Sequence, residues 1–240
     1  YCRRDWWDYL IFRKLKRRDL IEYNTSHISF ITGTNINGLL PSKKYISIDY
    51  FDVTNFNNER NNPPILTYDY IVFGDIYLGR HPDLQIMYGD NYLDLERYYT
   101  KMCSFFTKLE DYFGMPVVIA AHPKSNYTNE FGHRVILRGC STNLIVNAKL
   151  FLHHGSLSVC NAMLAHLRII QICNYDFYVN EALIGFKSIM DRLSNIISAP
   201  IVNIDNELDL DEIMIQEIPI MSYERALNEY FRSANSVEHD

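Results

Sequence analysis

From residue 68 onward the chain alternates short, mostly apolar runs with longer stretches that are apolar on one side only. Tyr68–Phe73 reads as a strand ending in Gly74-Asp75. Tyr92, Leu95, Tyr99, Met102, Phe106, Leu109 and Phe113 then recur at spacings of three and four, predicting a long one-faced helix ended by Gly114 with Pro116 beyond it. Val117–Ala121 reads as a buried strand, Arg134–Leu137 as a short one, and Ser141 as the cap of a helix running through Ala148. Lys149–Leu152 predicts the next strand, Ser156–Ala165 a helix, and Arg168–Cys173 a further strand. Tyr178–Asn195 and Met221–Arg232 read as closing helices around an acidic loop at Asp205–Glu212. Such alternation requires crossover connections, so the expected fold class is α/β, a Rossmann-like doubly wound parallel sheet.

Before this regular region, strand-like runs occur at Ile28–Ile31 and Tyr45–Ile48, the latter followed by Asp49-Tyr50-Phe51-Asp52. Asn55–Pro64 is polar, turn-forming and helix-incompatible, which predicts a linker. The expected division is a partial N-terminal lobe with linker over 1–60, a nucleotide-binding domain over 61–200, and an acidic loop and helix over 201–240. The chain starts at Tyr1 rather than Met, so a truncated N-terminal lobe is expected.

Composition narrows the function classes. The chain has 240 residues, 48% of them hydrophobic, enough for a substantial core. A net charge of −6 argues against a general nucleic-acid binder, which needs a basic footprint. No apolar run has the length of a membrane span and no signal peptide is visible, so a cytoplasmic location is expected. Asp5–Arg18 sets Trp6, Trp7, Leu10, Ile11 and Leu15 among five basic residues, and fits either a helix packed on the fold or a peripheral contact with an anionic inner membrane face. The five cysteines lack CxxC spacing and sit mostly in apolar patterns, so buried thiols are expected rather than disulfides or zinc.

Candidate chemistry sits where strands end. His122-Pro123-Lys124 follows a buried strand, where proline stops the sheet and holds the histidine extended at its mouth, able to donate to a phosphate oxygen while Lys124 adds charge. Gly155-Ser156-Leu157-Ser158 lies at a strand-to-helix junction, where free backbone N–H groups and hydroxyls suit an anion; a plain helix cap is the alternative. Gly139-Cys140-Ser141-Thr142 is a further turn into a helix, open to the same two readings. Asp75 and the pair Asp49/Asp52 are candidate general bases. His81, His133, His153 and His154 form no metal spacing, and neither a P-loop nor GxGxxG occurs.

Taken in order, the strand ending in Gly74-Asp75, then Val118-Ile119-Ala120-Ala121-His122-Pro123, then His154-Gly155-Ser156-Leu157-Ser158 before a helix with Ala162 and Ala165 resemble bacterial surface-polysaccharide glycosyltransferases of the GT-B fold. The sialyltransferase and Kdo-transferase groups, which use CMP-activated acidic sugars, are the most similar. The resemblance covers roughly Tyr68–Cys173 and implies the C-terminal, nucleotide-binding domain of that fold. It implies that His122, with Pro123 and Lys124, and Ser156 and Ser158, with Gly155 and Thr142, bind the donor phosphate, and that an acidic residue acts as base, for which Asp75 and Asp52 are the candidates. The acidic triplet of those families is missing, and Leu157 separates the two serines. The implied substrates are a nucleotide sugar and a glycan or lipid-linked acceptor, with no metal and no cofactor. A CDP-glycerol-type glycerophosphotransferase and a non-catalytic nucleotide-sugar or protein-binding domain remain alternatives.

Overall fold

The computed structural model describes residues 26–207 and 209–233; Asp5–Arg18, read either as a packed helix or as a membrane contact, and Cys2 lie outside them. The chain divides into two units, 1–50 with 228–240, and 51–227.

In the first unit β1 (Ser29–Thr32) pairs in parallel with β2 (Tyr45–Ile48), Ser29 opposite Tyr45 and Thr32 opposite Ile48. Gly33, at φ +68, follows β1 because a Cβ there would lie 2.3 Å from the Glu229 carbonyl oxygen. That carbonyl accepts from the amides of Thr34 and Asn35, so the segment after Leu227 is bound to the β1–β2 connection. Tyr50 and Phe231 meet edge to face at 5.5 Å.

The second unit holds six parallel strands: β3 (Ile71–Gly74), β4 (Val117–Ala121), β5 (Ile136–Arg138), β6 (Leu150–His153), β7 (Arg168–Cys173) and β8 (Ile201–Asn203). Their order across the sheet is β5-β4-β3-β6-β7-β8. Counted within the sheet this is 3-2-1-4-5-6, the order of a doubly wound dinucleotide-binding sheet, and the expected Rossmann-like α/β class holds. β3, β4 and β6 are buried at every position, as strands covered on both faces require. On one face Ile71, Phe73, Ile119 and Leu152 join Met102, Phe106 and Leu109 of α3 (Leu95–Phe113) in a single apolar core, with α2 (Pro82–Tyr88) preceding α3 in the chain. Asp94 caps α3 by accepting from the Arg97 amide at 3.0 Å, and Gly114 closes it in the left-handed conformation. α4 (Ser141–Val146) packs on β3 and β4, and α5 (Val159–Leu164) on β6 and β7.

Several boundaries differ from the sequence reading. The first half of the expected linker Asn55–Pro64 lies in α1 (Phe51–Glu59), whose Val53 and Phe56, one turn apart, are buried against α4 and α5 while Asn57 and Asn58 face solvent. Tertiary burial of two side chains here overrides a poor helix composition. Ser141 does not cap its helix but begins it, after Cys140. The helix expected from Ser156 starts only at Val159, after a turn at Leu157 and Ser158. Tyr178–Asn195 is broken by Asn180 into α6 (Asp176–Val179) and α7 (Glu181–Ile197), because the Asn180 side chain caps the second by accepting from the Ala182 amide at 2.9 Å. The acidic loop runs into α8 (Leu210–Ile215), capped by Asp209, and among the described residues the last α-helix is α9 (Ile220–Ala226), followed by a π-helical turn Leu227–Phe231. Among the described residues no helix is long and apolar enough to cross a membrane. Cys160 and Cys173 are buried, and Cys103 and Cys140 partly so.

Candidate functional site

The winding of the sheet reverses between β3 and β6, and open parallel sheets bind ligands outside the carboxyl ends of the strands at that point. Gly74 ends β3 there, in register with Ala120 of β4 and His153 of β6. A Cβ on Gly74 would lie 2.7 Å from the Phe151 ring and 3.4 Å from Ser158 Oγ, so only glycine lets the β6 loop approach this closely. Phe151 is fully buried and stacks on the His153 ring at 5.1 Å, leaving it no room to swing away. Gly74→Ala is therefore expected to destabilise the fold by about 1–3 kcal/mol, read as a lower urea midpoint; an unchanged midpoint would mean that the ring yields freely.

Asp75, the next residue, is buried, and its carboxylate ties two loops together. Oδ1 accepts from the Tyr77 amide at 2.8 Å, while Oδ2 accepts from the His122 amide at 3.2 Å and the Tyr127 hydroxyl at 2.7 Å. Burial raises its pKa, and these three donors, with a smaller contribution from His81, pull it back down. The carboxyl end of β3 is thus clasped to that of β4 by one carboxylate. A salt bridge between Arg80 and Glu130 at 2.7 Å joins the same two loops a few residues further on.

His122 is half-buried at the end of β4. Its Nδ1 accepts from the Lys124 amide at 3.2 Å, so in the neutral ring Nε2 carries the proton and is a donor. Burial lowers its pKa, with His81 and Lys124 adding to the effect and Asp83 opposing it. Its ring lies parallel to Tyr77 at 6.4 Å and edge-on to His81 at 5.1 Å. Lys124 itself is exposed and lies 3.7 Å from Asp83; Pro123 is exposed in the turn.

At the end of β6 two adjacent histidines are fully buried for different reasons. His154 donates from Nδ1 to the Ile172 carbonyl at 2.5 Å and accepts at Nε2 from the Tyr98 hydroxyl at 2.9 Å, a saturated packing role. His153 turns Nδ1 toward the loop, where it accepts from the amides of Gly155 and Ser156, both at 3.0 Å. Those are two of the N–H groups expected to be free for an anion. The Ser158 amide goes to Ser156 Oγ, and the Val159 amide to the Ser156 carbonyl. What this loop offers a ligand is hydroxyl: Ser156 Oγ and Ser158 Oγ are 2.7 Å apart, and one proton between them leaves the other to donate outward. Gly155, at φ +83, supplies the left-handed turn beneath α7.

The remaining candidates fall away from this point. Thr142 is in the first turn of α4 behind β5, the edge strand two places from β3, and the neighbouring Asn143 spends its amide on Glu59, Pro63 and Ile65. Asp52 is in the first turn of α1; burial raises its pKa, and no described contact joins it to the Asp75 clasp. His122 and the serines stand at the ends of strands that are not neighbours, since β3 runs between β4 and β6, two strand spacings or roughly 9.5 Å. Among the described residues no group of three or more His, Cys, Asp or Glu could hold a metal ion. Sequence reasoning missed Tyr127, Tyr77 and His81. His81 had a signal, a second His-Pro pair at 81–82. Tyr127 had none, because it reaches Asp75 only through the folded loop.

No family model matches the sequence, and no curated protein matches it. Among solved structures, one described as the glycotransferase of kitacinnamycin aligns over 70% of this chain with 9% sequence identity and a TM-score of 0.36. The alignment takes in 42% of that protein, so this chain spans less than half its length.

Proposed function

We propose that the chain is the nucleotide-binding half of a GT-B-type glycosyltransferase, which moves a sugar from a nucleotide-sugar donor, with CMP-activated acidic sugars as the donor class, to a surface-glycan acceptor. The observation that carries the reading is the clasp at the switch point: a buried carboxylate, Asp75, whose pKa burial raises, beside a neutral imidazole N–H donor, His122, with the Ser156/Ser158 hydroxyls on the far side of β3. In this scheme Asp75 takes the proton of the acceptor hydroxyl as the new glycosidic bond forms. His122 Nε2–H and a serine hydroxyl stabilise the charge that builds on the departing nucleotide phosphate.

A non-catalytic nucleotide-sugar-binding domain is the second reading, and a specific observation favours it. The three donors on Asp75 occupy lone pairs that a base would present to its substrate. A thermal-shift panel with CMP, CDP, UDP and GDP tests the nucleotide step common to both. A ligand at a hundred times its Kd adds about 2.7 kcal/mol to the folded state, or about 5–10 °C for a chain of this size. No shift with any of the four would overturn the nucleotide reading; a shift with no transfer from the matching nucleotide sugar would favour the binding domain.

A further inference from the structure

His81 and His122 are built alike. Each is followed by proline, as His81-Pro82-Asp83 and His122-Pro123-Lys124. Each turns Nδ1 back to accept the amide two residues on, from Asp83 and from Lys124, both at 3.2 Å. With Nδ1 so occupied, both neutral rings carry their proton on Nε2, and among the described contacts neither Nε2 has a protein partner. The rings meet edge to face with centroids 5.1 Å apart, although the two turns come from different strands, β3 and β4. An imidazole nitrogen lies about 1.2 Å from its ring centre, so the two Nε2 atoms are at most about 7.5 Å apart, a gap that one phosphate spans with a hydrogen bond of about 2.9 Å at each end.

We infer that His81 and His122 form a paired-imidazole anion site, in which both Nε2–H groups donate to oxygens of a single phosphate. This rests on the nucleotide reading above and extends it: His81 becomes a ligand contact instead of only the cap of α2. Arg80 does not compete for the ligand, since Glu130 holds it; the Asp83 carboxylate, 69% exposed, lies 3.7 Å from Lys124 Nζ and 3.9 Å from His81 at its Nδ1, the nitrogen that the proposed site does not use. Among the described residues, neither ring's Nε2–H is taken up by a protein acceptor.

Asparagine separates the two jobs of each histidine. Its side-chain oxygen reaches where Nδ1 stands, so it keeps the bond to the amide two residues on, and it is a good helix cap at position 81; it lacks the distal N–H. Isothermal titration calorimetry of the wild type, His81→Asn and His122→Asn, with CDP and with inorganic pyrophosphate as probes, reads the effect. Each variant is expected to bind both probes about tenfold or more weakly, with thermal unfolding unchanged in the absence of probe. The ring nitrogens of both histidines should also shift together in nitrogen-detected NMR as pyrophosphate is added. Wild-type affinity in His81→Asn with weakened His122→Asn would overturn the pair and leave the nucleotide reading standing. Pyrophosphate binding that both variants lose, without any nucleotide binding, would keep the pair and remove the nucleotide. No binding of either probe by the wild type would overturn both.

Discussion

Acidification from pH 7.5 to pH 5 is expected to cost the fold about 4 kcal/mol, a large share of the 5–15 kcal/mol that holds a typical domain together. The cause is the pair of buried histidines at the end of β6. Burial, with the neighbouring His154 adding to it, lowers the His153 pKa from 6.5 to about 3; burial likewise lowers His154 to about 4, with the Ile172 bond opposing it. The geometry agrees, since a proton on His153 Nδ1 would break two backbone bonds at once. Both groups have depressed folded-state values, so below pH 6.5 the unfolded chain takes up protons that the folded chain refuses. Stability is complete above 6.5 and falls as the pH drops toward the folded values, by a little over 1 kcal/mol per unit for each ring. Asp75 works the other way: its raised pKa makes the folded state the better proton acceptor in a window above 3.8, so it recovers some stability at the acid end. Urea midpoints across pH 5–7.5 measure the slope. In His153→Asn, whose Oδ1 can accept the same two amides, the slope should fall by about half. A flat profile in the wild type would mean that these rings are not held neutral.

The same stretch of chain shows what a sequence discloses and what it conceals. Val117–Ala121 was legible because a strand buried on both faces has to be apolar throughout, and α3 because its apolar positions keep helical period up to Gly114. The helix Phe51–Glu59 was not legible, since Val53 and Phe56 are its only buried residues and four asparagine and threonine residues outvote them locally. β8 has three residues and owes its strand state to pairing with β7, Gln171 opposite Ile201, which no local pattern encodes. For the site, the chemistry-bearing residue types at strand ends could be named, but not which strand ends are neighbours. β3, with Gly74 and Asp75 at its end, comes between the strands that carry His122 and the serines, and no local pattern encodes that order. The clasp itself depends on Tyr127, fifty-two residues after Asp75, and contacts of that range are fixed by topology alone.

Loss of Asp75 function should lower transfer by about 10²–10⁴, the usual contribution of a positioned general base, but the obvious substitution does not measure this cleanly. In Asp75→Asn one carboxylate oxygen becomes an NH2 group. Placed at Oδ2 it would face two donors, the His122 amide and Tyr127 hydroxyl; placed at Oδ1 it faces only the Tyr77 amide, so it settles there. One buried amide then lacks its acceptor, at a cost of about 1–3 kcal/mol in stability, and a fall in rate could reflect a loosened loop. Tyr127→Phe avoids the problem. It keeps the carboxylate and both amide donors and removes the hydroxyl whose bond lowers the Asp75 pKa, so that pKa must rise. A base has to be ionised to act. The acidic limb of the kcat/KM profile should therefore move to higher pH in Tyr127→Phe, with the rate on the plateau nearly kept, whereas His122→Asn should lower the plateau without moving the limb. If the limb stays in place while Asp75→Asn still transfers at near wild-type rate, Asp75 is only the clasp between β3 and β4, and the proton of the acceptor leaves by another group.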